Sequence, residues 1–165
     1  MKALIWAVAA LLCTITPLMA LEAPKGPVIL TLKGQLSNPN SGADAAFDLA
    51  MLEALPGRSP TMETPWTDGK VTFSGPFLRA VLEAAGASGT RLRVRALNEY
   101  AVTLPASDAQ NFDMIVATKL NGKTMSVRDK GPTMLVYPFD LDSKIYTETY
   151  FSRSVWQIRD IEILP

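Results

Sequence analysis

The spacing of apolar positions along this chain changes several times, and each change marks an element. Val28-Ile29-Leu30-Thr31-Leu32 is a continuous apolar run of strand length and predicts a first buried strand. Gly34 and the cluster Asn38-Pro39-Asn40-Ser41-Gly42 turn the chain, and Phe47 ends a returning strand. Asp48 stands where an N-capping carboxylate belongs, ahead of a short helix from Leu49 to Leu55 that Pro56-Gly57 closes. Arg58 to Pro65 has two prolines and no period, so it reads as loop, and Asp68-Gly69 marks a turn before Lys70-Val71-Thr72-Phe73. The clearest helix follows. Pro76 suits its first turn, Phe77, Leu78, Val81, Leu82 and Ala85 share one face, and Gly86 stops it.

Beyond that helix the period shortens to two. Leu92, Val94 and Ala96 alternate with Arg91, Arg93 and Arg95, the pattern of a strand with one face in water, so the arginines read as a solvated face before they read as an anion site. Ala101 to Leu104, Met114 to Leu120, Thr133 to Phe139 and Val155 to Leu164 complete the expected strands, with Asn121-Gly122 as a two-residue hairpin turn. Met51, Met114, Met125 and Met134 fall inside apolar patterns and read as core filler. The whole predicts an α+β single domain of mixed β-sheets with a few short helices.

The first twenty residues follow a different rule. Lys2 precedes an apolar stretch from Ala3 to Cys13, Pro17 breaks it, and Leu18-Met19-Ala20 ends on a small residue. Residues 1–20 therefore read as a cleaved signal peptide and 21–165 as the mature domain in the periplasm, the alternative being an uncleaved membrane anchor. Leu12 before Cys13 is too bulky for a lipoprotein box, and no twin-arginine pair is present, which implies export as an unfolded chain. Charge is balanced, with 16 Lys+Arg against 16 Asp+Glu, and no basic face suggests nucleic acid.

Composition then removes whole classes of chemistry. The chain has no histidine, and its one cysteine, Cys13, lies in the expected signal peptide. A Ser–His–Asp triad, an imidazole metal site, a thiolate nucleophile and a zinc–thiolate centre are all excluded from the mature segment. Asp140 and Asp142 lack the rest of a calcium loop and read as a solvated turn. No serine sits in a recognisable Ser–Lys nucleophile context.

Binding chemistry is better represented, in four segments where strands end: Pro65-Trp66-Thr67, Leu97-Asn98-Glu99-Tyr100, Arg128-Asp129-Lys130-Gly131-Pro132 and Phe151-Ser152-Arg153-Ser154-Val155-Trp156-Gln157. Tryptophan faces stack planar heterocycles, and arginine or asparagine forks bond their edges. Each tryptophan taken alone reads first as a core anchor.

The same residues resemble the oxidoreductase molybdopterin-binding domain family, the sulfite-oxidase fold. Ser74-Gly75-Pro76-Phe77-Leu78 through Gly86 is similar to that family's Gly-x-x-Leu-x-x-x-Leu helix. Ala96 to Leu104 around Tyr100 is similar to its tyrosine-containing strand turn, and Ile115-Val116-Ala117 with Asn121-Gly122-Lys123 to its alanine-plus-hairpin segment. Lys130-Gly131-Pro132 falls at its His-Gly-x-Pro turn and Val155-Trp156 at its Lys-Trp. The family's upstream cysteine has no counterpart here, nor have its turn histidine and the lysine before its tryptophan. The resemblance is nearest to short periplasmic pterin-binding members that signal to membrane-bound enzymes.

It implies a periplasmic, non-catalytic binding protein for a pterin or molybdopterin-like ligand, without a metal, acting through a membrane-bound signalling partner. Its expected site is Trp66, Asn98, Tyr100, Arg128, Lys130, Gly131, Arg153 and Trp156. The tryptophans stack the ring, Arg153 and Asn98 address its edge, and Lys130 with the Gly131 amide takes a polar tail or phosphate. Two alternatives stay open: a molybdopterin-dependent oxidoreductase or its accessory subunit, and a protein-interaction module that kept the fold without the pocket.

Overall fold

A computed structural model describes residues 20–165, so the expected signal peptide at 1–20 lies, but for its last residue, outside the described residues. In chain order the elements are β1 (Val28–Gly34), β2 (Ala45–Asp48), α1 (Leu49–Glu53), β3 (Gly57–Arg58), β4 (Thr61–Glu63), β5 (Lys70–Pro76), α2 (Leu78–Ala84), β6 (Arg91–Ala96), β7 (Ala101–Pro105), α3 (Asp108–Asn111), β8 (Ile115–Ala117), β9 (Lys119–Leu120), β10 (Lys123–Thr124), β11 (Met134–Val136), α4 (Glu148–Arg153) and β12 (Ile158–Leu164).

One five-stranded sheet runs β2-β1-β12-β6-β7. It is mixed, because β1 and β12 are parallel while the other pairs are antiparallel. A second sheet runs β10-β9-β5-β3 with β4 also on β5, and β8 pairs with β11. One core joins them, with Leu30 and Phe47 from the first sheet, Phe73 from the second, Val116 and Leu135 from the pair, and Leu78, Val81 and Leu82 from α2. The helical spacing of those α2 residues is what places them all on the buried side.

Several expected boundaries are corrected. Pro76 belongs to β5 and faces Gly57, the Phe77 amide is held extended by the Pro56 carbonyl at 2.9 Å, and the helix starts at Leu78, two residues later than expected. Gly75 is required by crowding at this junction, since a Cβ there would lie 2.0 Å from the Val116 carbonyl oxygen. Arg58 to Pro65 is not all loop. It contributes β3 and β4 as edge strands, with the Pro60 carbonyl accepting the Phe73 amide at 3.0 Å, and proline is tolerated at an edge that needs no donor. The expected strand from Met114 to Leu120 divides at Thr118, whose amide turns to Ser74 at 2.8 Å, so β8 and β9 serve different sheets. Thr133 to Phe139 shortens to β11, and Pro138 has no N–H to extend it.

The arginine face of β6 is wet but ordered. Asp160 of β12, almost fully buried, accepts Arg95 at 2.6 Å and Arg159 at 2.9 Å, and Arg93 reaches Glu162 at 3.4 Å. The Asn121-Gly122 turn forms as expected, with φ of 49° and 77°.

Asp48 caps α1 and also closes the N-terminal segment. Its carboxylate accepts the Met51 amide at 2.9 Å and the Lys25 and Gly26 amides, each at 2.8 Å. The Met51 bond first, and the Gly26 bond next, hold its pKa below the ordinary carboxylate value. A depressed folded pKa stabilises above the unfolded value of about 4 and is lost as pH falls through the folded one. Asp48→Ala is expected to lower the urea midpoint at pH 7 and to shrink the fall in midpoint between pH 7 and pH 3. Urea titrations at both pH values check this.

Candidate functional site

Four segments distant in sequence meet beside the last strand, and the meeting point is Gln157. Its backbone is left-handed, with φ 53°, so β12 begins at Ile158 and not at the expected Val155. Gln157 donates its amide to the Lys130 carbonyl at 3.0 Å and its side-chain amide to the Val127 carbonyl at 2.6 Å. Its own carbonyl accepts the Leu97 amide at 2.9 Å. One residue thereby ties the β6–β7 turn, the 127–131 turn and the Trp156 segment together. A left-handed non-glycine position leaves no periodicity to read, so sequence alone gives no sign of this role.

The cleft beside it has a volume of about 440 Å³. Pro65 and Trp66 line one side, Ala96, Asn98 and Tyr100 another, and Ser154, Val155 and Trp156 a third. The remaining wall is α4, through Glu148, Phe151 and Ser152. These three stand at i, i+3 and i+4, which puts them on one helix face. Phe151 to Arg153 therefore belong to a helix and not to the head of the last strand, and the sequence pattern shows neither Glu148 nor α4. Its aromatic and β-branched residues have modest helix propensity, although Thr147 before Glu148 was a readable helix-start signal.

The aromatic wall is continuous. Trp66 lies 5.9 Å from Trp156 at a 55° tilt and meets Phe151 and Phe139 edge-on at 6.0 and 6.3 Å. Two indoles in mutual contact at that tilt leave no slot between them. Of the two tryptophans expected to stack a ring, Trp156, 39% exposed, offers the open face, and half-buried Trp66 packs against the core beside it. The Trp66 indole N–H is buried without a hydrogen-bond partner among the described residues. Tyr100 closes the rim by donating its hydroxyl to the Ser152 carbonyl at 3.0 Å, and the Asn98 side-chain oxygen accepts the Tyr100 amide at 3.1 Å.

Of the eight expected site residues, Trp66, Asn98, Tyr100 and Trp156 line this cleft, while Arg128, Lys130, Gly131 and Arg153 do not. Arg128 is exposed on the Val127–Asp129 turn. Lys130 adjoins the cleft only through its carbonyl bond to Gln157. The Gly131 amide is donated to the Ser126 carbonyl at 2.7 Å, so it does not face a phosphate. A Cβ at Gly131 would meet the Met125 carbonyl oxygen at 2.2 Å, and this close backbone approach explains the glycine.

Arg153 has a different partner from the one expected. Its guanidinium donates to Asp108 at 2.9 Å, and the buried Tyr137 hydroxyl donates to the same carboxylate oxygen at 2.6 Å. Burial first, and the Asp108 bond next, push the Tyr137 pKa up, so the phenol keeps the proton it donates. Tyr150 packs on Tyr137 at 5.1 Å and on Phe112 at 5.5 Å. One face of α4 is therefore bolted to the body while the other lines the cleft.

Comparison with known proteins follows the same lines. The family model described as "Oxidoreductase molybdopterin binding domain" matches residues 50–164. Among solved structures, the crystal structure of the sulfane dehydrogenase SoxCD from Paracoccus pantotrophus is similar over 83% of this chain, with a TM-score of 0.60 and 18% identity, a likeness of fold. This chain spans 38% of that chain's length. No curated protein matches.

Proposed function

The chain belongs to the oxidoreductase molybdopterin-binding domain family, and we propose that it serves there as a periplasmic, non-catalytic receptor for a pterin or related planar heterocycle. By family and by fold it is a molybdopterin-binding oxidoreductase-type domain with mixed sheets and few short helices. The narrower reading is carried by the composition of the cleft, in which ring surface from Trp66, Tyr100, Phe151 and Trp156 predominates and Asn98 and Glu148 bring the polar groups. A mostly apolar concave site with a few convergent polar atoms suits one planar ring system. The Trp156 face stacks the heterocycle, and the Asn98 amide bonds its edge.

The family also implies molybdenum held by a cysteine thiolate, and the residues present do not fit it. The described residues contain neither cysteine nor histidine. Among them no group of three His, Cys, Asp or Glu side chains gathers as a ligand set. The cleft fits the organic ring and not a thiolate-anchored metal, so no redox step is assigned to it. The family match itself favours a second reading, an oxidoreductase or accessory subunit, which predicts molybdenum near one atom per chain by elemental analysis.

Periplasmic placement rests on the Lys2 to Ala20 signal pattern. A membrane-bound signalling partner is favoured by the exposed apolar residues near the cleft, Leu97, Tyr100, Val127 and Trp156, whose surface would differ between empty and filled states.

Titration with reduced pterins is expected to quench tryptophan fluorescence saturably. Trp156→Ala should weaken binding by about tenfold or more, since a desolvated stacking contact with its buried area can exceed ~1.4 kcal/mol. Arg93→Ala, on the wet face of β6 and outside the cleft lining, is the control that keeps affinity. Absence of saturable binding at millimolar pterin would overturn the proposal and put the interaction-module reading in front.

A further inference from the structure

Most polar groups in the cleft can be followed to a partner, and the remainder is lopsided. The Ser152 hydroxyl donates back to the Thr149 carbonyl and the Ser154 hydroxyl to the Tyr150 carbonyl, each at 2.9 Å. The Tyr100 hydroxyl is held by the Ser152 carbonyl and the Asn98 oxygen by the Tyr100 amide. Of the cations near the cleft, Arg153 is paired with Asp108 and Arg159 with Glu99 and Asp160, while Arg128 and Lys130 lie on the neighbouring turn outside the lining. Among the described residues no lysine or arginine lines the cavity, and the one charged side chain that does is Glu148, which makes no hydrogen bond or ion pair with a described residue. It stands on the face of α4 shared with Phe151 and Ser152, beside the aromatic wall.

We infer that Glu148 is the specificity-determining residue of the cleft, selecting heterocycles that present two adjacent N–H donors on one edge and disfavouring those that end in a phosphate. The inference rests on the pterin reading above and names the ligand class more closely. A carboxylate only accepts hydrogen bonds, and its two oxygens match a coplanar pair of donors. The 2-amino group and ring N–H of a 2-amino-4-oxopyrimidine supply that pair, while the ring face lies on Trp156. A phosphate monoester brings negative charge into a half-enclosed apolar cleft that holds a carboxylate and no cation. Like charge acts against it, screened in part because Glu148 is exposed, which is discrimination by repulsion as well as by fit.

The test uses the full domain, three probes and one substitution. The probes are 6-hydroxymethylpterin, its lumazine counterpart with oxygen in place of the 2-amino group, and the phosphate monoester of 6-hydroxymethylpterin. The wild-type chain is expected to bind the pterin about tenfold or more tightly than either other probe, the scale of one charge-assisted hydrogen bond. Glu148→Gln is expected to lower pterin affinity about tenfold, leave lumazine affinity unchanged and narrow the ratio of pterin to phosphate-ester affinity. Because Glu148 is exposed and has no hydrogen-bond or ion-pair partner among the described residues, the variant should keep the wild-type urea midpoint, so a change in ratio reports recognition and not folding. Equal wild-type affinities for pterin and lumazine, or a ratio unmoved by Glu148→Gln, overturns this inference and leaves the cleft reading intact. Displacement of the pterin by equimolar tetramethylammonium also overturns it, because the carboxylate would then be reading a point charge in an aromatic box. Saturable binding of none of the three probes brings down both this inference and the proposal beneath it.

Discussion

Replacing Asp108 with alanine is expected to cost roughly 3–5 kcal/mol of stability, because it leaves both the Arg153 guanidinium and the Tyr137 hydroxyl without their shared acceptor. Asp108 and Tyr137 are buried and Arg153 is about three-quarters buried, so water cannot fully replace the lost bonds. Tyr137→Phe removes one donor and leaves the ion pair, and it should cost only about 1 kcal/mol, the scale of a single net hydrogen bond. The same carboxylate fixes the back of α4, whose front carries Glu148, Phe151 and Ser152 into the cleft. Pteridine affinity should therefore fall in both Asp108→Ala and Arg153→Ala at a temperature where each is fully folded. Urea titration and fluorescence titration of the three variants check this. A folded Arg153→Ala chain with unchanged affinity would show that α4 holds its place without the anchor.

Asp160→Ala is the second large effect, about 3 kcal/mol, the lower end of what breaking a buried ion pair costs. Its carboxylate is nearly inaccessible between Arg95 and Arg159, and these arginines are part-exposed, so hydration recovers some of their loss. Burial alone would raise the Asp160 pKa, but hydrogen bonds from Arg95 and Arg159 outweigh it and hold the carboxyl below its ordinary value. The folded pKa lies below the unfolded one, so this stabilisation is complete above about pH 4 and is lost as pH falls through the folded value. The wild-type urea midpoint should drop steeply below that point, and the Asp160→Ala midpoint should drop less. Parallel acid profiles of the two chains would expose the error if they fell together.

The strength of local pattern decided what could be read in advance. The spacing of Leu78, Val81, Leu82 and Ala85 fixes a helix face wherever the helix packs, and all four are buried. The alternation from Arg91 to Ala96 fixes β6 to the residue, and Asn121-Gly122 fixes its turn because both residues tolerate positive φ. Lack of histidine and of a cysteine beyond Cys13 excludes thiolate and imidazole chemistry without any coordinates. Two-residue edge strands such as β3, and the six-residue α4, are too short to carry a period, so neighbours and not local preference decide them.

The candidate site divides along the same line. Its aromatic members were legible because Trp66 and Trp156 are rare, large and flanked by turn chemistry, and Asn98 and Tyr100 lie in a recognisable strand turn. Its charged members were not. Arg153 stands next to cleft residues in sequence yet points its charge at Asp108, 45 positions away, while Glu148, with no motif around it, faces the ring wall. Sequence determined the residue types, the periods and the excluded chemistry, since each depends on neighbours a few positions apart. Only the tertiary structure decided which charge meets the cleft and which is neutralised behind it, because that depends on contacts between distant segments, brought into register here by the left-handed turn at Gln157.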